Sequence, residues 1–147
     1  MAHIRKQIRD KIKDLVSGLT LTQNKVFYDI VYNLDSSKLP AIVVQTKDER
    51  IEKTTFGRPS IQNRVLNVSL FCVVQTNENY QDVLDSILLE IEHKIYNNLT
   101  LDNLVTRIEI DQIETDTTDA LQKTTSIMEI NLVVEYRVKE NNLENSI

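Results

Sequence analysis

Arg64-Val65-Leu66-Asn67-Val68-Ser69-Leu70-Phe71-Cys72-Val73-Val74-Gln75 alternates: Leu66, Val68, Leu70, Cys72 and Val74 are apolar, and Asn67 and Ser69 stand between them. Successive side chains of a strand point to opposite faces, so a period of two predicts a half-buried β-strand with one face on a core. Phe71 and Val73 interrupt the polar side, which predicts that the far end of this strand is covered on both faces.

The next residues change period. Tyr80, Val83, Leu84, Ile87, Leu88, Ile91 and Ile95 recur at spacings of three and four, opposite Asp82, Asp85, Glu90, Glu92 and Lys94, as an amphipathic helix requires. Upstream, Ile4, Ile8, Ile12, Leu15, Val16 and Leu19 form a similar stripe, predicting a first helix over about residues 2–17. Gly18 follows where a left-handed C-terminal residue is commonly needed.

Between the first helix and the alternating strand, Lys25 to Tyr32 is rich in β-branched and aromatic residues and predicts a strand, with turn chemistry over 33–38. Pro40 biases Leu39 toward extended backbone, and Ala41 to Gln45 predicts a second short strand. Lys47 to Asn63 is polar and holds Gly57 and Pro59, so it is read as a long mobile loop; strand connections usually take about two to five residues. After the second helix, Val105 to Ile113 and Met128 to Val138 alternate and predict two more strands. The polar tail 140–147 is expected to fray.

The resulting order is α-β-β-β-α-β-β, an α/β (α+β) domain. One-sided alternation favours an antiparallel or mixed sheet of about five strands with both helices on its apolar face. With 147 residues and ordinary composition, one domain over 1–139 is expected.

The residues for most chemistry are missing. His3 and His93 are the only histidines and Cys72 the only cysteine, which excludes an internal disulfide, a multi-histidine or cysteine zinc site, and a triad with much to choose from. Glu90 and His93 form Glu-x-x-His, but di-iron sites need a second such pair, so both are read as solvated surface. Cys72, at an inward strand position, is read as core. Tyr28, Tyr32, Tyr80, Tyr96 and Tyr136 are read as core-edge packing. Two glycines leave little for phosphate loops. The expectation is no enzyme, no cofactor, no metal site and no nucleic-acid partner. No run approaches the ~18–20 apolar residues of a membrane helix, so no membrane association is expected and the protein is expected in the cytoplasm.

Charge is segregated. Residues 1–77 hold twelve basic and seven acidic residues, a net of +5, whereas residues 78–147 hold five basic and fifteen acidic, a net of −10. Such a chain suits head-to-tail contacts between copies. The candidate interaction residues are Arg5, Arg9, Arg50, Lys53, Arg58 and Arg64 on the basic side, and Glu109, Asp111, Glu114, Asp116 and Asp119 on the acidic side.

One sequence of features extends the reading. The opening helix Ile4-Arg5-Lys6-Gln7-Ile8 with Ile12 and Leu15 comes first, then Tyr32-Asn33-Leu34-Asp35 and Leu39-Pro40-Ala41-Ile42-Val43-Val44-Gln45-Thr46 with Glu49 beyond. The helix Tyr80 to Ile95 and the closing Val134-Glu135-Tyr136-Arg137-Val138 complete it. Over nearly its whole length the chain resembles the tail terminator family of long-tailed phages and prophages, the lambda-type minor tail protein U-like tail completion proteins. The resemblance implies a small α/β subunit that forms a homo-hexameric ring on the head-proximal end of a tail tube, with a monomer as the alternative when free. Its partners would be further copies of itself, the tube protein and the head-tail connector, in the host cytoplasm during assembly and then in the virion tail. The competing readings are another neck component, such as a head-tail joining protein, and a small-ligand binding domain.

Overall fold

A computed structural model describes residues 2–28, 40–55, 57–76, 79–119 and 124–147; at 76, 117–119 and 124 it describes the backbone alone. The elements are α1 (Ile4–Val16), β1 (Val26–Tyr28), β2 (Ala41–Lys53), β3 (Ile61–Thr76), α2 (Tyr80–Tyr96), β4 (Arg107–Asp119) and β5 (Thr124–Lys139). Their order is the one expected. The strands form one mixed sheet, β1-β2-β3-β5-β4, in which β1 runs parallel to β2 and every other pair is antiparallel.

The period-two pattern of β3 does what alternation requires. Leu66, Val68, Leu70, Cys72 and Val74 enter one core with Met128, Ile130, Leu132, Val134, Tyr136 and Val138 of β5. Ile4, Ile8, Ile12 and Val16 of α1 and Leu84, Ile87, Ile91 and Ile95 of α2 close that core from the same face. Burying a large aliphatic side chain contributes about 1.5–3 kcal/mol, so these stripes hold the helices down. His3 Nδ1 accepts the Arg5 N–H at 3.0 Å and caps α1, while Gly18 takes φ 83° just past its end. Of the first expected strand, 26–28 are in β1 and 29–32 lie outside the described residues, as do 33–39.

The largest departure from the sequence reading is the segment 47–63. It is not a long loop: β2 and β3 continue in register to Lys53 opposite Gln62, and only 54–60 make the connection. A β-bulge between Thr46 and Glu49 lets them continue. The extra residue reverses the inward phase, so that Ile42, Val44 and Thr46 are followed inward by Glu49 and Ile51. Parity counted from Ala41 to Gln45 therefore fails beyond 46. In β4 a second bulge between Ile110 and Gln112 shifts the inward set from Ile108 and Ile110 to Ile113 and Thr115. It carries the strand on to Asp119, well past the expected end near Ile113.

The tail expected to fray is tied back. Ile4 N–H donates to Leu143 O at 2.9 Å, Gln7 Nε2 to Glu144 O at 2.7 Å, and Ile147 N–H to Arg137 O at 2.8 Å. Leu143 packs on the core. The tail thereby closes the end of the domain where β5 finishes, beside the turn that joins β2 to β3.

Candidate interaction surfaces

The arm is the part of β2 beyond its bulge together with the stretch of β3 it pairs with. From Asp48 onward β2 is exposed at most positions, and Ile51, although directed to the core side, is 49% exposed. The turn end of the arm is pinned. Ser60 Oγ donates to the Glu140 carboxylate at 3.0 Å, Glu140 N–H to Ser60 O at 3.0 Å, and Thr54 N–H to Ile61 O at 2.8 Å.

Beneath the arm lies a buried ionic cluster that sequence reading did not anticipate. The β2 bulge turns Glu49 inward, where its carboxylate accepts from Arg64 Nη1 at 3.2 Å and from the Tyr136 hydroxyl. Arg64 also donates through Nε and Nη2 to Gln62 Oε1, at 3.2 and 2.9 Å. Burial, and then the bond to Glu49, push the Tyr136 phenol well above its ordinary range. Charges are buried this deeply only when paired and hydrogen-bonded. Arg64, expected among the interaction residues, is therefore an internal structural partner: its side chain is 9% exposed and turned to its own chain. The available signal was parity, because Gln62 and Arg64 continue the inward even positions of β3.

The remaining candidates divide into three places. Arg5 and Arg9 lie on α1, where Arg5 Nη2 donates to Lys47 O at 3.1 Å and the Arg9 guanidinium stands 5.3 Å from the Tyr28 ring centroid. Tyr28 also carries Lys13 at 4.7 Å and donates to Asp10 at 2.6 Å, so it is a core-edge tyrosine tied to α1. Arg50, Lys53 and Arg58 are on the arm; Arg50 pairs with Glu52 at 3.5 Å and Arg58 with Glu140 at 3.3 Å, and both are mostly exposed. Arg137 and Lys139 are exposed at the same end. Among the described residues neither these two nor Lys53 makes an ion pair.

The acidic candidates follow β4 along the sheet. Glu109 pairs with Arg107 at 2.6 Å, and Arg107 also meets Glu135 at 2.6 Å. Asp111 is the bulge residue and is exposed; Glu114 accepts from Gln112 Nε2 at 2.7 Å; Asp116 is exposed; the Asp119 side chain lies outside the described residues. Glu114 and Asp116 border an open groove of about 430 Å³ on the face away from the helices, with Gln45, Phe71, Thr115, Ile127 and Glu129 as its other walls. Phe71, which sequence parity marked as an apolar residue on a polar face, is half-buried there, whereas Val73 is covered as expected, at 3% exposure. Lys47 Nζ sits 5.4 Å from the Phe71 ring centroid and 3.2 Å from Glu129 Oε1.

Cys72 is fully buried, and burial pushes its thiol up to about 12. Glu90 does more than face solvent: its carboxylate accepts the Thr20 N–H at 2.9 Å and holds the turn after α1, and that bond keeps it below the ordinary carboxylate range. His93 is exposed. Among the described residues no three His, Cys, Asp or Glu side chains converge as a metal site would, and no helix is long and apolar enough to cross a membrane.

No family model matches the chain. A curated relative, the large chain of carbamoyl phosphate synthase from Pseudomonas syringae pv. tomato, is 28% identical over 97 residues. That match covers 64% of this chain and only 9% of the relative's length. Among solved structures, a chain in the virion of a native gene transfer agent particle is similar at a TM-score of 0.36 and 9% identity, with 90% of this chain and 92% of that chain covered. None of these likenesses assigns a family.

Proposed function

We propose that this chain is a structural, non-enzymatic subunit that caps the head-proximal end of a phage or prophage tail tube as a ring. The cap ends tube polymerisation and offers the surface to which the head attaches. The observation that supports it most is the arm: beyond its bulge β2 stays in register with β3, which is itself paired with β5, and offers a row of exposed side chains to whatever lies beside it. A free-standing domain has little use for such a row, while a ring subunit needs two different faces that meet in its neighbours. The resemblance of the opening helix, the Leu39 to Thr46 segment and the closing strand to tail terminators supports the same reading. Its partners on this reading are further copies of itself, the tube protein and the connector, first in the host cytoplasm and then at the neck end of the tail.

Tube subunits add head-to-tail, and such a contact continues until the exposed end is blocked. Deleting the gene from its phage or prophage should leave unjoined heads and tubes of excessive, variable length in electron micrographs. Tubes of normal length that merely stay unattached would replace this reading with that of a neck component acting after termination.

A further inference from the structure

The arm and the Phe71 groove lie at opposite ends of one sheet and cannot meet within a chain. Ile61 and Phe71 are ten residues apart on β3, which at ~3.3 Å per residue is about 33 Å. Their charges are complementary. The arm end carries Lys53, Arg137 and Lys139, without ion pairs among the described residues, and Arg50 and Arg58, held only by exposed ones. The groove end carries Glu114 and Asp116, likewise without ion pairs.

The groove also shows what kind of group it accepts. Lys47, from the chain's own β2, lies against the Phe71 ring with its ammonium on Glu129. A cation over an aromatic face beside a carboxylate is a favourable arrangement, worth about 0.5–1 kcal/mol at an exposed site. Glu114, Asp116 and Ile127 line the rest of the groove and leave room for a further cationic side chain.

We propose that the arm end of one copy docks on the Phe71 groove of a second copy, placing Arg137 and Lys139, both on the face away from the helices, against Glu114 and Asp116. This deepens the ring reading and rests on it only for closure: the contact is heterologous, so by itself it yields either a ring or an open filament. Exposed pairs are weak singly and screened by salt, so association tightens as ionic strength falls.

A charge swap in the full-length protein tests it. One variant is Arg137→Glu with Lys139→Glu, the other Glu114→Lys with Asp116→Lys; among the described residues none of these four makes an ion pair in its own chain. Sedimentation velocity at low ionic strength should show self-association of the parent, weakened about tenfold or more in each variant alone. An equimolar mixture should recover the parent's association, because each arm then finds a groove of opposite sign. Circular dichroism confirms that both variants fold. A parent that stays monomeric at low salt, or a mixture no better than its components, overturns the proposal. Loss of tube binding in the groove variant, with a monomeric parent, would instead make the tube protein the occupant. The deletion phenotype is independent: recovery in the mixture together with tubes of normal length would leave this contact standing and remove the capping role.

Discussion

Arg64 and Glu49 face each other at 3.2 Å beneath the arm, with side chains 9% and 8% exposed, although fifteen positions separate them in the chain. Removing one partner of a buried pair leaves the other charge uncompensated, which typically costs about 3–5 kcal/mol. Arg64→Met or Glu49→Leu alone should therefore lower stability by roughly that amount in urea titrations. The combination Arg64→Met, Glu49→Leu and Tyr136→Phe should recover much of it, since no buried polar partner is then orphaned. Equal losses in the single and combined variants would show that the pair carries no buried charge.

Cys72 gives an alkaline signature. Its thiol ionises near 9.0 when unfolded and is pushed up to about 12 by burial in the fold. The folded state thus keeps a proton that the unfolded state releases. This contribution is fully present below pH 9 and is lost as pH rises from 9 toward 12. The Tyr136 phenol, also raised by burial, acts in the same direction above pH 10. Cys72→Ala should flatten the fall in melting temperature between pH 8.5 and 10.5. Native protein at pH 8 should react with a thiol reagent only as fast as it opens, and rapid labelling would place the thiol at the surface.

An acid limb should also appear. Asp10 is held below its ordinary range by Lys6 and then Tyr28, Glu90 by the Thr20 backbone, and Glu135 by Arg107. Lowered carboxylates favour the fold above pH ~4.5 and cease to do so as pH falls through and below that range. Glu90→Gln should therefore shrink the drop in melting temperature between pH 7 and pH 3. An unchanged drop would mean that the turn at Thr20 does not depend on the ionised carboxylate.

Hydrogen exchange separates the arm from the core. The ladder from Arg50 to Lys53 against Gln62 to Val65 is formed but is exposed along β2, so the β2 amides should exchange faster than those of Leu66 to Val74 and slower than those of Gly57 and Arg58. Exchange along 48–53 as fast as in the turn would restore the mobile-loop reading.

The helix layer tests the core. Ile12 is fully buried on α1, and Ile12→Ala should cost about 2–5 kcal/mol in the same urea titration. Ile8→Asp with Ile12→Asp should abolish folding, because two charges would enter an apolar core without partners.

The sequence by itself determined what local periodicity can encode: both helices, the inward faces of β3 and β5, the element order, the burial of Cys72 and the capping turn at Gly18. These follow from which side chains share a face, and that needs only the spacing of apolar residues along the chain. Tertiary structure decided what depends on strands meeting. The two bulges change the inward phase in mid-strand, and nothing in the alternation of Ala41 to Gln45 announces that Glu49 turns inward. Its reason for being buried, Arg64 and Tyr136, arrives from two other strands. The polar stretch 47–63 became an arm for the same reason: a ladder draws its stability from paired backbone groups, and hydrophobic pattern carries no record of them. The separation of arm and groove by the length of β3 likewise exists only in the assembled sheet, where residues distant in sequence share one end.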